Sequence, residues 1–213
     1  MRLLLVAFLV CSVTACGRNE AEGQPSGSGS NPLDDMAREQ AQFDKDRKPE
    51  TIVEALGIHP GSRVADIGAG TGRLTIHLAK AIAPNGHLVA TDVDSQVLDQ
   101  FLRPRMQAAG LSEVVETRVV EAEKPGLEDG LYDAILLSEV DHYFDELPGG
   151  PVPWLKLATK ALKPTGRLVI SNRIHHRAHS LQSAMKAGLV LKSESSPTPT
   201  HFIAVFGPPE RGK

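Results

Sequence analysis

From residue 63 to residue 206, the chain alternates short apolar runs with longer segments in which apolar residues recur every three or four positions. Short apolar runs are typical of buried strands, and the longer period is typical of helices that bury one face. The pattern predicts strands at 63–67, 87–91, 114–120, 132–138, 167–171, 189–192 and 201–206. It predicts helices at 34–48, 49–56, 72–83, 95–109, 153–162 and 178–187.

The order of these elements predicts the class of fold. Strands that alternate with helices form a parallel sheet with helices on both faces. The connection 195–200 is rich in serine, proline and threonine, so it is predicted to be a turn. Because a short turn cannot cross the sheet, the strands at 189–192 and 201–206 should pair antiparallel. We therefore expect an α/β protein with a mostly parallel sheet and an antiparallel last strand.

Composition and charge narrow the functional classes. The chain is 41% hydrophobic and 23% charged, which is ordinary for a globular protein. A formal net charge of -3 and an aromatic content of 4% provide neither the basic surface nor the stacking side chains of nucleic-acid binding. Both cysteines, Cys11 and Cys16, precede the predicted domain, and no H-E-x-x-H spacing occurs. We expect neither a nucleic-acid partner nor a bound metal.

The most informative segment joins the strand at 63–67 to the next helix. It reads Asp66-Ile67-Gly68-Ala69-Gly70-Thr71-Gly72-Arg73, an acid followed by three alternate glycines. Glycine lets a ligand approach the backbone closely, and the N–H groups at the start of a helix attract anions. The dinucleotide fingerprint G-x-G-x-x-G would need a glycine where Arg73 stands. The turn therefore predicts a ligand other than a nicotinamide dinucleotide.

This turn resembles motif I of the class I S-adenosylmethionine-dependent methyltransferases. The element order over residues 43–207 also resembles the Rossmann-like, seven-stranded sheet of that family. The resemblance implies S-adenosyl-L-methionine as cofactor. It further implies that the acid of the turn orients the loop and reaches the methionine amino group, while N–H groups of the loop and helix bind the methionine carboxylate. The implied cofactor contacts in this segment are Asp66, Gly68, Ala69, Gly70 and Gly72.

The ends of the next two strands carry further acids. Asp92, followed by Val93, ends the second strand, where a carboxylate can accept hydrogen bonds from both ribose hydroxyls. Glu121-Ala122 follows the third strand, where the resemblance implies an acid that accepts from the adenine amino group. Glu123 competes for that role. Together with the glycine turn, these acids predict a nucleoside site at one edge of the sheet.

The segment after the fourth strand is predicted to face the reacting groups, because such sheets bind ligands beyond the carboxyl ends of their strands. It begins at Ser138, an implied cofactor contact, and continues with Glu139, Asp141 and His142. These three are the candidate catalytic residues, since they could orient or deprotonate a methyl acceptor. Alternatively, His142 and Tyr143 cover the adenine side of the pocket.

The resemblance also bears on the acceptor. The N-P-P-Y signature of methyltransferases that act on planar nitrogens is missing after the fourth strand. The lead-in from Arg47 to Gly61 resembles that of small-molecule methyltransferases, and Arg47 could approach the cofactor carboxylate. We expect a small-molecule acceptor and a monomeric protein.

The N-terminal residues predict export. The apolar run from Leu3 to Val10 follows Met1-Arg2, which is typical of a secretory signal and too short to span a bilayer. It leads to Val13-Thr14-Ala15-Cys16, which resembles a bacterial lipobox and implies lipidation of Cys16. We predict a signal peptide at 1–15, a lipidated cysteine with a flexible Gly/Ser linker at 16–35, and a methyltransferase domain at 36–213.

These predictions imply a membrane-anchored lipoprotein of the bacterial cell envelope. A translation start at Met36 would instead leave the protein in the cytoplasm. Export conflicts with a cofactor that is made in the cytoplasm. Two functions therefore remain open: a methyltransferase that works by in-line displacement, and a membrane-tethered domain that keeps the fold and binds without chemistry.

Overall fold

The strands form where the sequence has its short apolar runs. The structure, a computed structural model, describes residues 32–209. The signal segment at 1–15, Cys16 and most of the linker lie outside the described residues. The strands are β1 (Arg63–Ile67), β2 (His87–Asp92), β3 (Val115–Val119), β4 (Tyr132–Ser138), β5 (Leu162–Arg173), β6 (Val190–Thr198) and β7 (His201–Gly207). The helices are α1 (Pro32–Arg47), α2 (Pro49–Leu56), α3 (Thr75–Ile82), α4 (Ser95–Val97), α5 (Arg103–Ala108), α6 (Pro151–Ala161) and α7 (Arg177–Lys186).

The seven strands form a single sheet in the order β3-β2-β1-β4-β5-β7-β6. Strands β1 to β5 pair parallel, and β7 runs antiparallel to both β5 and β6. The predicted α/β class, with a Rossmann-like, mostly parallel sheet and an antiparallel last strand, is confirmed. The chain proceeds outward from β1 in one direction and then from β4 in the other. The carboxyl ends of β1 and β4 therefore border the crevice where sheets of this type bind ligands.

Helices cover both faces of the sheet because the central strands are apolar on both faces. In β1, Ala65 and Ile67 belong to one hydrophobic cluster and Val64 belongs to the other, as the two-residue period of a strand requires. Trp154 of α6 packs in the first cluster. Leu78 of α3 packs in the second. Each face of the sheet thus has its own buried core.

Two predicted helices differ from those observed. The helix predicted at 72–83 begins only at Thr75, because the three glycines extend the turn that precedes it. The helix predicted at 95–109 is divided into α4, a wider π-helical turn at Leu98–Leu102, and α5. Pro104 lies two residues after the end of this turn and has no N–H to donate to a carbonyl of the turn, so the wider turn accommodates the proline.

Strands β5 and β6 are longer than predicted. Strand β6 continues through 195–198, so the prediction of a turn over 195–200 was wrong, and only Pro199 and Thr200 lie between β6 and β7. Strand β6 is at the edge of the sheet, and its register against β7 shifts between Ser195 and Thr198. Pro197, which has no N–H to donate to a neighbouring strand, is tolerated at such an irregular edge position. Strand β5 begins at Leu162 instead of 167 and shifts register opposite Tyr132.

None of the helices within residues 32–209 has the length and apolar character needed to cross a membrane. Across the same residues, no group of three or more histidine, cysteine, aspartate and glutamate side chains is arranged to hold a metal ion.

Candidate functional site

The predicted acids meet at one edge of the sheet. Residues of β1 pair in register with those of β2 and β4, so Asp66 lies opposite Ala90 and Leu136. Asp92 ends β2 and Ser138 ends β4. The three polar side chains therefore stand at neighbouring carboxyl ends of parallel strands, beside the crevice between β1 and β4.

The three glycines of the turn have different roles. Gly68, Gly70 and Gly72 have φ angles of 65°, 54° and 79°, which favour glycine at all three positions. A Cβ atom at Gly68 would lie 2.8 Å from Cγ2 of Val140, and one at Gly72 would lie 3.0 Å from Cγ of Leu102. No atom lies within 4 Å of a Cβ built at Gly70. Gly68 thus permits a close approach to the segment after β4, and Gly72 permits packing against the helical segment after β2.

Asp92 fixes the glycine turn through its carboxylate. The Gly70 N–H donates to Asp92 Oδ2 at 2.9 Å, and the Asp94 N–H donates to Oδ1 at 3.0 Å. A carboxylate has about four acceptor sites, so capacity for ribose hydroxyls remains. The Ala69 N–H donates to the Thr91 carbonyl at 2.9 Å, and the Gly72 N–H donates to the Ala69 carbonyl at 3.0 Å. The amides of Ala69, Gly70 and Gly72 are therefore used within the protein.

Two adjoining cavities open at this edge and share Gly68 and Glu139. The strand-end cavity has a volume of about 230 Å³ and is lined by Asp92, Val93, Glu121, Ala122, Tyr143 and Trp154 among others. The glycine-turn cavity has a volume of about 130 Å³ and is lined by Phe43, Arg47, Asp66, Ala69, Arg73 and Ser138 among others. Most of the predicted cofactor contacts therefore come together in one continuous site.

The strand-end cavity combines aromatic walls with polar groups. Trp154 is buried and stacks on Phe144 with ring centroids 4.2 Å apart. Glu121 belongs to the lining, whereas Glu123 is not among the residues that line this cavity. The Glu121 carboxylate accepts from Lys124 Nζ at 2.8 Å, and this hydrogen bond lowers the pKa of Glu121. A flat apolar ring with a polar edge fits such a cavity.

Asp66 is a buried carboxylate in the glycine-turn cavity. Its side chain is 2% exposed, and its Oδ2 accepts from the Thr75 hydroxyl at 2.7 Å. Burial raises the pKa of Asp66 to about 7, the hydrogen bond from Thr75 opposes this rise, and the charge of Asp92 adds to it. A cationic ligand group would favour the ionised form of Asp66.

Two arginines line the same cavity. Arg47 is buried, and its Nη1 and Nη2 donate to Glu139 Oε2 at 2.5 Å and to Ser138 Oγ at 3.0 Å. The Nε atoms of Arg47 and Arg73 are buried without a hydrogen-bond partner among the described residues. Guanidinium groups bind carboxylates through charge-assisted hydrogen bonds. Two guanidinium groups and Asp66 therefore fit a ligand end that carries both an ammonium and a carboxylate.

Glu139 connects the two cavities and is held by three donors. Its carboxylate accepts from Arg47, from Arg173 Nε at 3.0 Å and from His201 Nε2 at 3.1 Å. Burial opposes its ionisation, but the charge of Arg47 and the hydrogen bonds from Arg173 and His201 lower the pKa of Glu139 to about 2. Its φ of 52° is in the left-handed region. At neutral pH, Glu139 is a fixed carboxylate and a weak base.

The structure separates the other two candidate catalytic residues from these cavities. Asp141 is buried and accepts from Asn172 Nδ2 at 2.7 Å and from Ser180 Oγ at 2.5 Å. The His142 Nδ1 lies 3.1 Å from the same Asn172 Nδ2, and its ring stacks on His176. Neither Asp141 nor His142 lines the two cavities. Their contacts fix the segment that carries Glu139.

Several residues of the site are missing from the sequence predictions. Phe43 and Arg73 line the glycine-turn cavity, Trp154 lines the strand-end cavity, and His201 binds Glu139. Phe43 comes from α1 and His201 from the start of β7, so only the folded chain brings them to the carboxyl end of β4. A signal existed for Trp154 alone, since it is the one tryptophan of the chain and lies on the apolar face of a predicted helix.

Comparisons with known proteins agree with this geometry. A family model described as a methyltransferase domain matches residues 65–168. The ubiquinone/menaquinone biosynthesis C-methyltransferase UbiE of Ectopseudomonas mendocina is 31% identical over 122 residues, which cover 55% of this chain. Those residues cover 44% of the relative, so the chain spans less than half the length of this curated relative.

Solved structures share the fold. The structure of an S-adenosylmethionine-dependent methyltransferase from Aquifex aeolicus matches with a TM-score of 0.70 and 20% identity, over 83% of this chain and 98% of that chain. The [4+2]-cyclase SpnF matches with a TM-score of 0.65 and 15% identity, over 77% of this chain and 81% of that chain. Because a neighbour is named as a cyclase, the fold by itself does not fix the reaction.

The sheet order and the glycine turn resemble those of the class I S-adenosylmethionine-dependent methyltransferases, and the methyltransferase family model matches residues 65–168. The structural neighbours and the family model are consistent with S-adenosyl-L-methionine as the cofactor. The two-part site agrees with that cofactor, because it offers acids at the ends of β1 and β2 and two guanidinium groups beside the turn.

Proposed function

We propose that this protein is an S-adenosylmethionine-dependent methyltransferase that acts on a small molecule. One observation carries the proposal. The strand-end cavity and the glycine-turn cavity meet at Gly68 and Glu139, with Asp92 in one and Asp66 in the other. A nucleoside that carries an amino-acid tail has the same two parts, a flat polar ring system and a zwitterion.

The residues of the site would divide the work of binding. The sulfonium cofactor, when bound, supplies a methyl group whose bond to sulfur breaks as a bond to the acceptor forms, with sulfur keeping the electron pair. Asp66 would pair with an ammonium group, and Arg47 and Arg73 with a carboxylate. Asp92 would accept from hydroxyl groups, and the ring of Trp154 would bound the apolar part. Positioning of this kind is the main contribution that such a transfer needs from a protein.

Glu139 is proposed to orient the acceptor. Because its pKa is lowered to about 2, it is a poor proton acceptor at neutral pH and a strong hydrogen-bond acceptor. It would hold a donor group of the acceptor beside the methyl group. The curated relatives are named as C-methyltransferases of ubiquinone and menaquinone biosynthesis, so transfer to carbon is a reaction to test first.

The single tryptophan gives a direct test of cofactor binding. Because Trp154 lines the strand-end cavity, S-adenosylhomocysteine should change its fluorescence on titration. Asp92→Ala should weaken binding roughly 10- to 100-fold, since charge-assisted hydrogen bonds to hydroxyls are lost. Asp129→Ala, at an exposed carboxylate away from both cavities, is the matched control. Equal affinities in the two variants would reject this site.

The cellular location is a separate proposal. We propose that the protein is exported and lipidated at Cys16, as the lipobox resemblance implies. The comparisons do not support the non-catalytic, membrane-tethered alternative. We therefore also propose that the cofactor is supplied where the exported protein acts. Mass analysis of the mature protein should find acyl groups on an N-terminal Cys16, and an unprocessed Met1 would contradict it.

A further inference from the structure

Two more cavities lie beside the glycine-turn cavity, and the first of them shares Glu139 with it. The arginine cavity has a volume of about 410 Å³ and is lined by Phe43, Arg47, Arg73, Glu139, Arg173 and His201 among others. The lysine cavity has a volume of about 720 Å³ and is lined by Lys45, Asp46, Lys48, Arg173, His175 and His201 among others. The two share Asp46, Arg173 and His201. An acceptor could therefore extend from the methyl-transfer position into the lysine cavity.

The lysine cavity is positively charged. Lys45, Lys48 and Arg173 contribute three cationic groups, against the one carboxylate of Asp46. In the arginine cavity, by contrast, three arginines are matched by the carboxylates of Glu39, Asp46 and Glu139. The excess of positive charge thus begins only beyond Glu139, in the part of the site that is farther from the cofactor cavities.

Two of these cations have no partner. Arg173 is paired with Glu139, and Arg73 with Glu39 at 3.0 Å. Within residues 32–209, the ammonium groups of Lys45 and Lys48 form no hydrogen bond and no ion pair. Ammonium groups that face a shared cavity repel one another and attract an anion.

The backbone at Lys48 is strained. Lys48 and Glu139 are the only non-glycine residues with positive φ, 48° and 52°, in the described part of the chain. Such conformations are energetically unfavourable and cluster at functional sites. The strain at Lys48 is held in place, because its N–H donates to the Asp44 carbonyl and its carbonyl accepts from Thr51. One strained residue lines the lysine cavity, and the other lines the arginine cavity beside it.

We propose, resting on the proposed methyltransferase function, that the methyl acceptor carries a carboxylate or phosphate group that binds Lys45 and Lys48. The anionic group lies in the lysine cavity, and the part of the acceptor that receives the methyl group lies beside Glu139. An acceptor of this kind spans both cavities and leaves its reacting atom next to the fixed carboxylate.

A second lysine-rich cavity provides the matched control. This cavity of about 830 Å³ is lined by Lys160, Lys163 and Lys192 among others, and it surrounds the start of β5, at the opposite end of the strand from Arg173. Lys160 and Lys192 are exposed and form no side-chain hydrogen bond or ion pair with the described residues. Replacing them removes the same charge as replacing Lys45 and Lys48.

The test uses the full chain saturated with S-adenosylhomocysteine. Benzoate, phenyl phosphate and the neutral benzyl alcohol are titrated at constant ionic strength and followed by NMR shifts of backbone amides. At least one anion should shift the amides of 45–48 and 173–175, and benzyl alcohol should not. Lys45→Gln/Lys48→Gln should weaken anion binding roughly tenfold, since two charged contacts are lost. Lys45→Arg/Lys48→Arg and Lys160→Gln/Lys192→Gln should bind as the parent does.

Three results would overturn the proposal. They are equal binding of benzyl alcohol, equal weakening by the Lys160→Gln/Lys192→Gln control, and the absence of anion-induced shifts at 45–48. Trp154 fluorescence measures S-adenosylhomocysteine binding independently. Loss of that signal in the parent chain would reject the methyltransferase function, whereas a normal signal without anion binding would reject the anionic acceptor alone.

Discussion

Replacement of Asp66 by asparagine tests the cost of a buried carboxylate in the cofactor site. The side chain is 2% exposed, and burial raises its pKa from 3.8 to about 7 despite the hydrogen bond from Thr75. Asparagine has nearly the same shape and can still accept from the Thr75 hydroxyl, but it does not ionise. Asp66→Asn therefore removes the ionisation with little change in packing.

The pKa difference fixes the size and the sign of the effect. A pKa that is higher in the folded state means that the folded state binds the proton more tightly, so stability is greatest below about pH 4 and falls as the pH rises to about 7. The pKa of Asp66 differs by about three between the folded and unfolded states. Since a pKa difference of one corresponds to about 1.4 kcal/mol, the total is roughly 4 kcal/mol. Between pH 5 and pH 8, the ionisation should cost the parent protein about 3 kcal/mol.

Urea unfolding at pH 5 and pH 8 measures this cost. The unfolding free energy of Asp66→Asn minus that of the parent should be about 3 kcal/mol larger at pH 8 than at pH 5. Asp129→Asn, which removes a charge from an exposed side chain, should keep the pH dependence of the parent. If Asp66→Asn and the parent show the same pH dependence, the reasoning from burial is refuted. S-adenosylhomocysteine affinity should also rise between pH 6 and pH 8 in the parent and stay level in Asp66→Asn.

Two further predictions concern the turn and the ion pair. Gly68→Ala should be less stable than Gly70→Ala by about 1–3 kcal/mol in urea unfolding, because both have positive φ but only the methyl group at 68 meets Val140, at 2.8 Å. Adding Val140→Ala should remove most of that difference, and equal stability of the single variants would contradict it. Arg47→Met and Glu139→Gln should each cost about 1–3 kcal/mol, since each removes one charge of a partly buried ion pair. Their double variant should cost at least about 1 kcal/mol less than the sum, and additive costs would show that the pair contributes nothing.

The fold and the polar residues at the strand ends follow from local patterns in the sequence. Strand β4 contains an unbroken apolar run because it is buried on both faces, and its predicted bounds match those observed. Asp66, Asp92 and Ser138 could be placed together because parallel strands in register bring their carboxyl ends to one edge. Each strand end is recognised from residues close in sequence, and the parallel order of the strands then brings the ends together.

The remaining features depend on tertiary context. The extension of β6 through Pro197 needs an edge position, which the topology alone provides. The partners of Glu139 come from α1, β5 and β7, so no spacing in the sequence brings Arg47, Arg173 and His201 together. The hydrogen bond from the Gly70 amide to Asp92 depends on tertiary context as well, because it joins the turn after β1 to the end of β2.

The position of β7 has a consequence for how the protein is made. This strand is the seventh in sequence, yet it lies between β5 and β6, so β6 stays unpaired until β7 has left the ribosome. Its first residue, His201, also completes the set of donors around Glu139. A nascent chain that ends before residue 201 would expose the apolar edge of β5 and lack one of the three donors to Glu139. The pairing of β6 and the last hydrogen bond to Glu139 are therefore completed together, late in synthesis.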